Sequence, residues 1–407
     1  MSISNTRARS LQASRRELAL HGALASVQRF ERRFEPFFRP ALNAVLREPS
    51  VAVLQWLINR NRKDEGLALA EEKVSPEEEE EALNSIIEYV SAYMLQHYKP
   101  GEFQRGGNTK THGIVRGEVT IRDDIPVHMR RGVFATPGTY KAWIRFSGPG
   151  PDSPKDIDDV GFASCSIKMM GVPGPKLLDD ESGTQDFTAV CTPTFVTPNI
   201  VANADLQAEI LRGTPGLYFF RPGRSHLLDV AMQSWWNQTQ FNPLEAQYWS
   251  CVPYLLGEGQ AMMYSVRPRT KTHTRIPRVP RRPPDNYLRE AMAATLAKGE
   301  VEMDILVQVQ TDPHRMPIEN AAVRWPARLS PWVPVATLRM PRQTFDSPAQ
   351  FAFAHNLSYN PWHSIAEHRP LGNQSRARRR MYYELDKLRQ EKNQTPHIEP
   401  TGDEVLD

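Results

Sequence analysis

Three residues near the end of the chain could do chemistry together. Arg378 and Tyr382 lie in Arg376-Ala377-Arg378-Arg379-Arg380-Met381-Tyr382-Tyr383-Glu384-Leu385, and Arg389 in its continuation. The stretch has long straight side chains and no Gly, Pro or β-branched residue, so its composition predicts a helix. Residues four and seven apart return to one helical face, so two guanidiniums would flank the Tyr382 phenol. Nearby positive charge favours the phenolate form. A tyrosinate is a hard anionic ligand for ferric iron, and haem iron accepts Tyr as an axial ligand. Taken alone, an amphipathic basic helix with one buried Tyr and solvated arginines accounts for the same residues.

Two upstream segments offer further candidates. Thr111-His112-Gly113 opens a strand-rich region after Gly101, Gly106 and Gly107. Arg145-Phe146-Ser147 ends an apolar strand before a Gly/Pro loop, where a barrel could hold Arg145 inward. Ser147 could hydrogen-bond a neighbouring imidazole and fix its tautomer. A lone His is more often structural, and an Arg at a strand end more often a surface charge. Other templates fail. There is no H-E-x-x-H, no G-x-G-x-x-G, no P-loop and no nucleophile elbow. His363 and His368 have the wrong helical spacing for a metal, and Asp156, Asp158 and Asp159 lack the Gly turn and closing Glu of a calcium loop.

The elements that must position these residues change character along the chain. Residues 6 to about 98 read as helical. Leu11, Leu18, Leu20, Leu24 and Val27 form one loose stripe, and a second helix is expected from Pro40 to Arg60. Phe34, Phe37 and Phe38 make the stretch between them too aromatic for a solvated linker. Ser75-Pro76-Glu77-Glu78 is a strong helix start, with a capping residue, Pro in the first turn and acid beside it. From Lys99 the period becomes two. Strands are predicted at 118–121, 140–147, 160–168, 187–190, 260–267, 301–310 and 335–340. Helices are expected within 227–236 and over 287–298, and again after Pro348. Residues 268–284, rich in Pro and Arg, should form an exposed loop. The sum is an α+β protein: a closed or nearly closed antiparallel β-barrel with helices outside it.

Composition narrows the function classes. The chain has 407 residues, 40% of them apolar and 24% charged, with a net charge of +3. That charge gives no reason to invoke nucleic acid. Cys165, Cys191 and Cys251 show no C-x-x-C spacing, which suits a reducing compartment and a cytoplasmic protein. No apolar run approaches the roughly 20 residues of a transmembrane segment. The Arg- and Ser-rich start mimics an organellar presequence, but Glu17, Glu31 and Glu35 break that pattern. The N-terminal helices could pack on the barrel, meet a partner, or make a peripheral membrane contact.

The ordered motifs resemble the haem catalase superfamily, and in particular its short, catalase-related subgroup. The resemblance rests on Thr111-His112-Gly113-Ile114-Val115, then Arg145-Phe146-Ser147, Asp159-Val160-Gly161-Phe162-Ala163, Lys168 and Gln185-Asp186-Phe187. It continues through Thr192-Pro193-Thr194-Phe195, Tyr248-Trp249-Ser250, Asn360-Pro361-Trp362-His363 and Glu367-His368-Arg369-Pro370-Leu371-Gly372 to Arg378 and Tyr382, spanning roughly residues 109–392. It divides the chain into a helical extension over 1–98, a catalase-like haem-binding barrel domain over 99–395 and a tail over 396–407.

The resemblance implies haem b held by Tyr382 as the proximal iron ligand, with Arg378 as its charge partner. Arg389 and Arg145 match arginines near the haem propionates. His112 matches the distal histidine, Ser147 the residue that orients it, and Phe195 an aromatic of the distal pocket. His112 would then move a proton between the two peroxide oxygens. The implied function is a peroxide-metabolising oxidoreductase of catalase or peroxidase type, with an unidentified electron donor and a homo-oligomeric assembly. Conversion of an organic or fatty-acid hydroperoxide, or haem binding without catalysis, are the alternatives. Three positions depart from the pattern. Thr109 stands where a third propionate arginine lies three residues before the distal His, and Lys110 or Arg105 could replace it. Val190 and Cys191 stand in place of a distal Asn, removing a donor that polarises bound peroxide. Val160 stands in place of an Arg.

Overall fold

Alternation along the strands decides where the core sits. In the computed structural model, which describes residues 12–62, 66–270 and 274–406, nine strands pair antiparallel throughout. Leu11 and most of the Arg- and Ser-rich start lie outside the described residues. The strands are β1 (Thr111–Ile121), β2 (Gly138–Ser147), β3 (Ser164–Met169), β4 (Gln185–Val190), β5 (Tyr248–Trp249), β6 (Tyr254–Leu255), β7 (Ala261–Pro268), β8 (Val301–Val309) and β9 (Val333–Met340). Their order is β5-β4-β3-β2-β1-β9-β8-β7-β6, and β5 also pairs with β7. That extra pairing closes the ring, with β6 appended to β7. On β2 to β4 one parity, Ile144, Phe146, Cys165, Ile167 and Phe187, fills the barrel core. The other parity, Arg145, Ser164, Ser166 and Thr188, faces outward towards the helices.

The helices are α1 (Arg15–Asn61), α2 (Pro76–His97), α3 (Ile200–Leu211), α4 (Leu227–Ser234), α5 (Tyr287–Lys298), α6 (Pro348–Asn356) and α7 (Asn373–Asn393). α2 packs against α3 and α7. Ile86, Val90 and Met94 meet Phe103, Ile200, Ala377 and Met381 there in a second apolar core. No described helix is long and apolar enough to cross a membrane.

The structure revises several expectations. α1 is one helix rather than two, with Pro36, Pro40 and Pro49 inside it. Each proline forfeits a backbone hydrogen bond and crowds the preceding turn. The helix is held by contacts to the rest of the chain: Glu35 accepts from the Thr239 amide at 2.7 Å, Asn43 donates to Gln238 at 2.7 Å, and Val51 and Ile58 pack with Met232, Trp236 and Val323. The aromatic stretch is not buried, for Phe34, Phe37 and Phe38 are exposed. β3 begins at Ser164 and not at Val160, because Gly161 adopts φ +83° and the Asp159 carboxylate accepts from the Val160 amide. β5 and β6, two residues each, are too short to show a period.

Candidate functional site

A cavity of about 330 Å³ lies between the outward parity of β2 to β4 and the helices α2, α3 and α7. α7 supplies its inner wall. The chain enters that helix through Gly372 at φ +85°, where a Cβ would meet the Ile318 carbonyl oxygen at 2.5 Å. Four-residue spacing then brings Arg378 and Tyr382 to the cavity together.

Arg378 is buried, with its guanidinium carbon 5.2 Å from the Phe195 ring centroid. It forms no hydrogen bond or ion pair with any described residue. Burial opposes its charge, yet its neighbours, led by Tyr382, hold its pKa above the usual arginine value. Cys251 is one of several other lining side chains with an atom that could ligate iron, beside Tyr359, Met381 and Asp386. Its thiol donates to the Thr192 carbonyl at 2.8 Å and burial pushes its pKa up, so it stays protonated.

One end of the cavity is basic. Arg145 donates to the carbonyl of Asn108 at 2.7 Å and to the Thr111 hydroxyl at 2.7 Å. Arg105 donates to the carbonyls of Ala354, at 2.9 Å, and Leu357. Burial lowers the pKa of both, and neighbouring guanidiniums add to it: Arg145 falls to about 10 and Arg105 well below its usual value. Arg389 does not line the cavity. It is fully buried, paired with Asp386 at 2.9 Å and bonded to the His355 carbonyl. Asp386 does line the cavity. Burial resists its charge, but Arg389 and Arg105 hold its pKa down. Three guanidiniums thus face one carboxylate, leaving a surplus of two positive charges.

His112 is not brought to this cavity. A register shift between Thr111 and Gly113 interrupts β1 at this residue. The ring is buried, with Nδ1 3.8 Å from Asp156 Oδ1 and Nε2 without a partner. Burial first, then the charges of Lys110, Arg289 and Arg145, lower its pKa to about 3. Ser147 does not orient it, since the Ser147 hydroxyl is buried without any hydrogen-bond partner. Lys110 is drawn to Asp156 at 2.6 Å and so cannot serve as the third propionate cation, whereas Arg105 lines the cavity. Cys191 also turns away, its sulfur accepting from the Ala163 amide at 2.9 Å.

Asn108, and not His112, lines the cavity. Its Oδ1 accepts from the Ser164 hydroxyl at 2.7 Å, and its backbone has φ 51°. The signal was present in the sequence: Arg105-x-x-Asn108 has the three-residue spacing of arginine and distal residue, four positions before Thr109-x-x-His112. With Ser164, Ser166 and Thr188, this wall carries amide and hydroxyl groups but no imidazole or carboxylate among the described residues.

Other motif residues meet elsewhere. Glu181, Asp186 and His363 converge with ligand atoms within 4.8 Å of one another. The Lys168 ammonium already binds Glu181 and, at 2.9 Å, Asp186, so this is a buried ion network joining β3 and β4 to the segment before α7.

No family model and no curated protein matches the sequence. Solved structures do. A fungal catalase aligns with TM-score 0.50 and 16% identity, covering 77% of this chain and 64% of that one. A bacterial catalase aligns with TM-score 0.54 and 15% identity, covering 76% of this chain and 62% of that one. The chain has the catalase fold. It spans less than two thirds of the length of either catalase.

Proposed function

We propose that the cavity binds haem b through Tyr382 and that the protein is a peroxide-acting oxidoreductase with an altered distal wall. One observation carries this reading: Tyr382 and an unpaired buried Arg378 share a wall of a cavity whose end has two surplus positive charges. That charge suits the two propionates of a haem, and Phe195, Leu206, Ile210 and Leu385 offer apolar contact to a flat macrocycle. When bound, haem iron supplies the electrons that cleave an O–O bond. Arg378 would stand beside Tyr382 as its charge partner, while Arg105 and Arg145 would anchor carboxylates. Asn108, its oxygen engaged by Ser164, would present N–H to a bound oxygen but cannot carry a proton. Disproportionation of hydrogen peroxide, which needs proton movement between two oxygens, is therefore expected to be slow. Reaction with an organic hydroperoxide and a separate electron donor fits the wall better. Haem binding without catalysis is the second reading, favoured by the same lack of a base.

The test begins with an absorption spectrum of the haem-loaded protein and an assay of oxygen release from hydrogen peroxide. The expected result is a high-spin ferric spectrum with little oxygen. Tyr382→Phe should lose haem or its charge-transfer bands, and an unchanged spectrum would place the ligand elsewhere. Failure to take up haem would end both readings.

A further inference from the structure

α1 is packed with its polar side in. Arg32 pairs with Glu35 at 2.8 Å, and Glu35, Arg39 and Asn43 all bond to residues 234–239 or to each other. Further along the helix Val51, Leu54 and Ile58 pack inward against Met232, Trp236 and Val323, but a second row of apolar side chains faces out. Val27, Phe30, Phe34, Phe38, Val45 and Trp56 are exposed, Val27 at 67%, Phe30 at 66% and Val45 at 71%. Their separations of three, four, four, seven and eleven residues keep them on one side of a helix. The stripe from Val27 to Trp56 runs to about 44 Å at 1.5 Å per residue. An apolar stripe of that length on the surface calls for a partner.

The charge beside the stripe indicates which partner. Arg33 donates to the Arg281 carbonyl at 3.0 Å, tying the Pro- and Arg-rich loop to the Phe-rich part of α1. Arg275, Arg278, Arg281 and Arg282 on that loop are exposed, and none has an ion pair among the described residues. An anionic surface would neutralise them.

We propose that this face docks on an anionic membrane surface. α1 lies in the plane of the interface, the stripe sits among the upper acyl chains, and the loop arginines meet lipid phosphates and carboxylates. The proposal does not depend on haem occupancy.

Flotation of the full-length protein with lipid vesicles tests it. Recovery is expected with phosphatidylcholine vesicles containing phosphatidylserine and not with phosphatidylcholine alone, and high salt should reduce it. Removing one loop arginine, as in Arg281→Ala, should weaken partitioning about fivefold. Phe34→Glu with Phe38→Glu should abolish it. These side chains are outside the cores, and far-UV circular dichroism checks that the fold is kept. Equal flotation of the variants and the wild type overturns the proposal, as does no recovery with anionic vesicles. Self-association without flotation, lost in the Phe34→Glu, Phe38→Glu protein, would instead assign the stripe to a second copy and also overturn it.

Discussion

Asn108 shows how much one side chain decides. Asn tolerates a positive φ better than most residues, which suits its 51° backbone. The same choice leaves the wall without a proton carrier. Asn108→His would supply one, and general acid–base catalysis typically contributes at least about 10²-fold. Oxygen release by haem-loaded Asn108→His should rise by that order, and no rise would mean that position 108 does not face the reacting oxygens. His112 looked like the base because it opens the strand-rich region and matches the distal histidine of the resembled family. The register shift at that point is invisible in sequence, and an interrupted alternation changes which face a side chain takes. Arg378 and Tyr382 were legible for the opposite reason: uninterrupted helical geometry fixes four-residue neighbours on one face, whatever the tertiary context.

At the scale of elements, α2 closes the cavity. Its Val90 lines the space, and a Cβ on Gly106 would overlap the Val90 side chain. Val90 is short and stiff, so α2 itself would have to move. Gly106→Ala is expected to cost about 1–3 kcal/mol, read as a lower thermal midpoint, and an unchanged midpoint would show that α2 is loosely seated. The start of α2 was written in Ser75-Pro76 and its acidic first turn. α1 was not readable in the same way, because three prolines argue locally for breaks while the contacts that override them come from residues more than 190 positions away. The longer strands were legible from their period of two, and β5 and β6 were not, having too few residues to repeat anything.

At the scale of the whole molecule, buried imidazoles set the response to pH. Burial first, then nearby cations, depresses His112 to about 3 and His355 to about 4. Burial likewise lowers His368 to about 4. Each stays neutral in the fold, while an unfolded imidazole titrates at about 6.5. The stability they lend is complete above that value and is lost as pH falls towards 4 and then 3. His363 runs the other way. Burial and Lys168 oppose its charge, but Asp180 and Asp186 prevail and raise it to about 9. Its contribution is complete below about 6.5 and disappears as pH rises through 9. Denaturant midpoints should therefore drop steeply between pH 6.5 and 4. A flat profile over that range would mean these histidines gain no protons on unfolding.

The two-residue β5 has a consequence for how a rigid planar molecule could get in. It joins β4 through one residue pair, Val190 with Trp249, and β7 through two. The barrel is thus a long sheet fastened by a short clasp, and the clasp borders the cavity through Val190, Ser250 and Cys251. Few hydrogen bonds must break there for the ring to gape, compared with the ten registered pairs between β1 and β2. Amide hydrogen exchange should be faster at Val190 and Trp249 than along β1 in the haem-free protein, and should slow selectively there on loading. Equal protection in both places would direct the search for an entrance to the helical side.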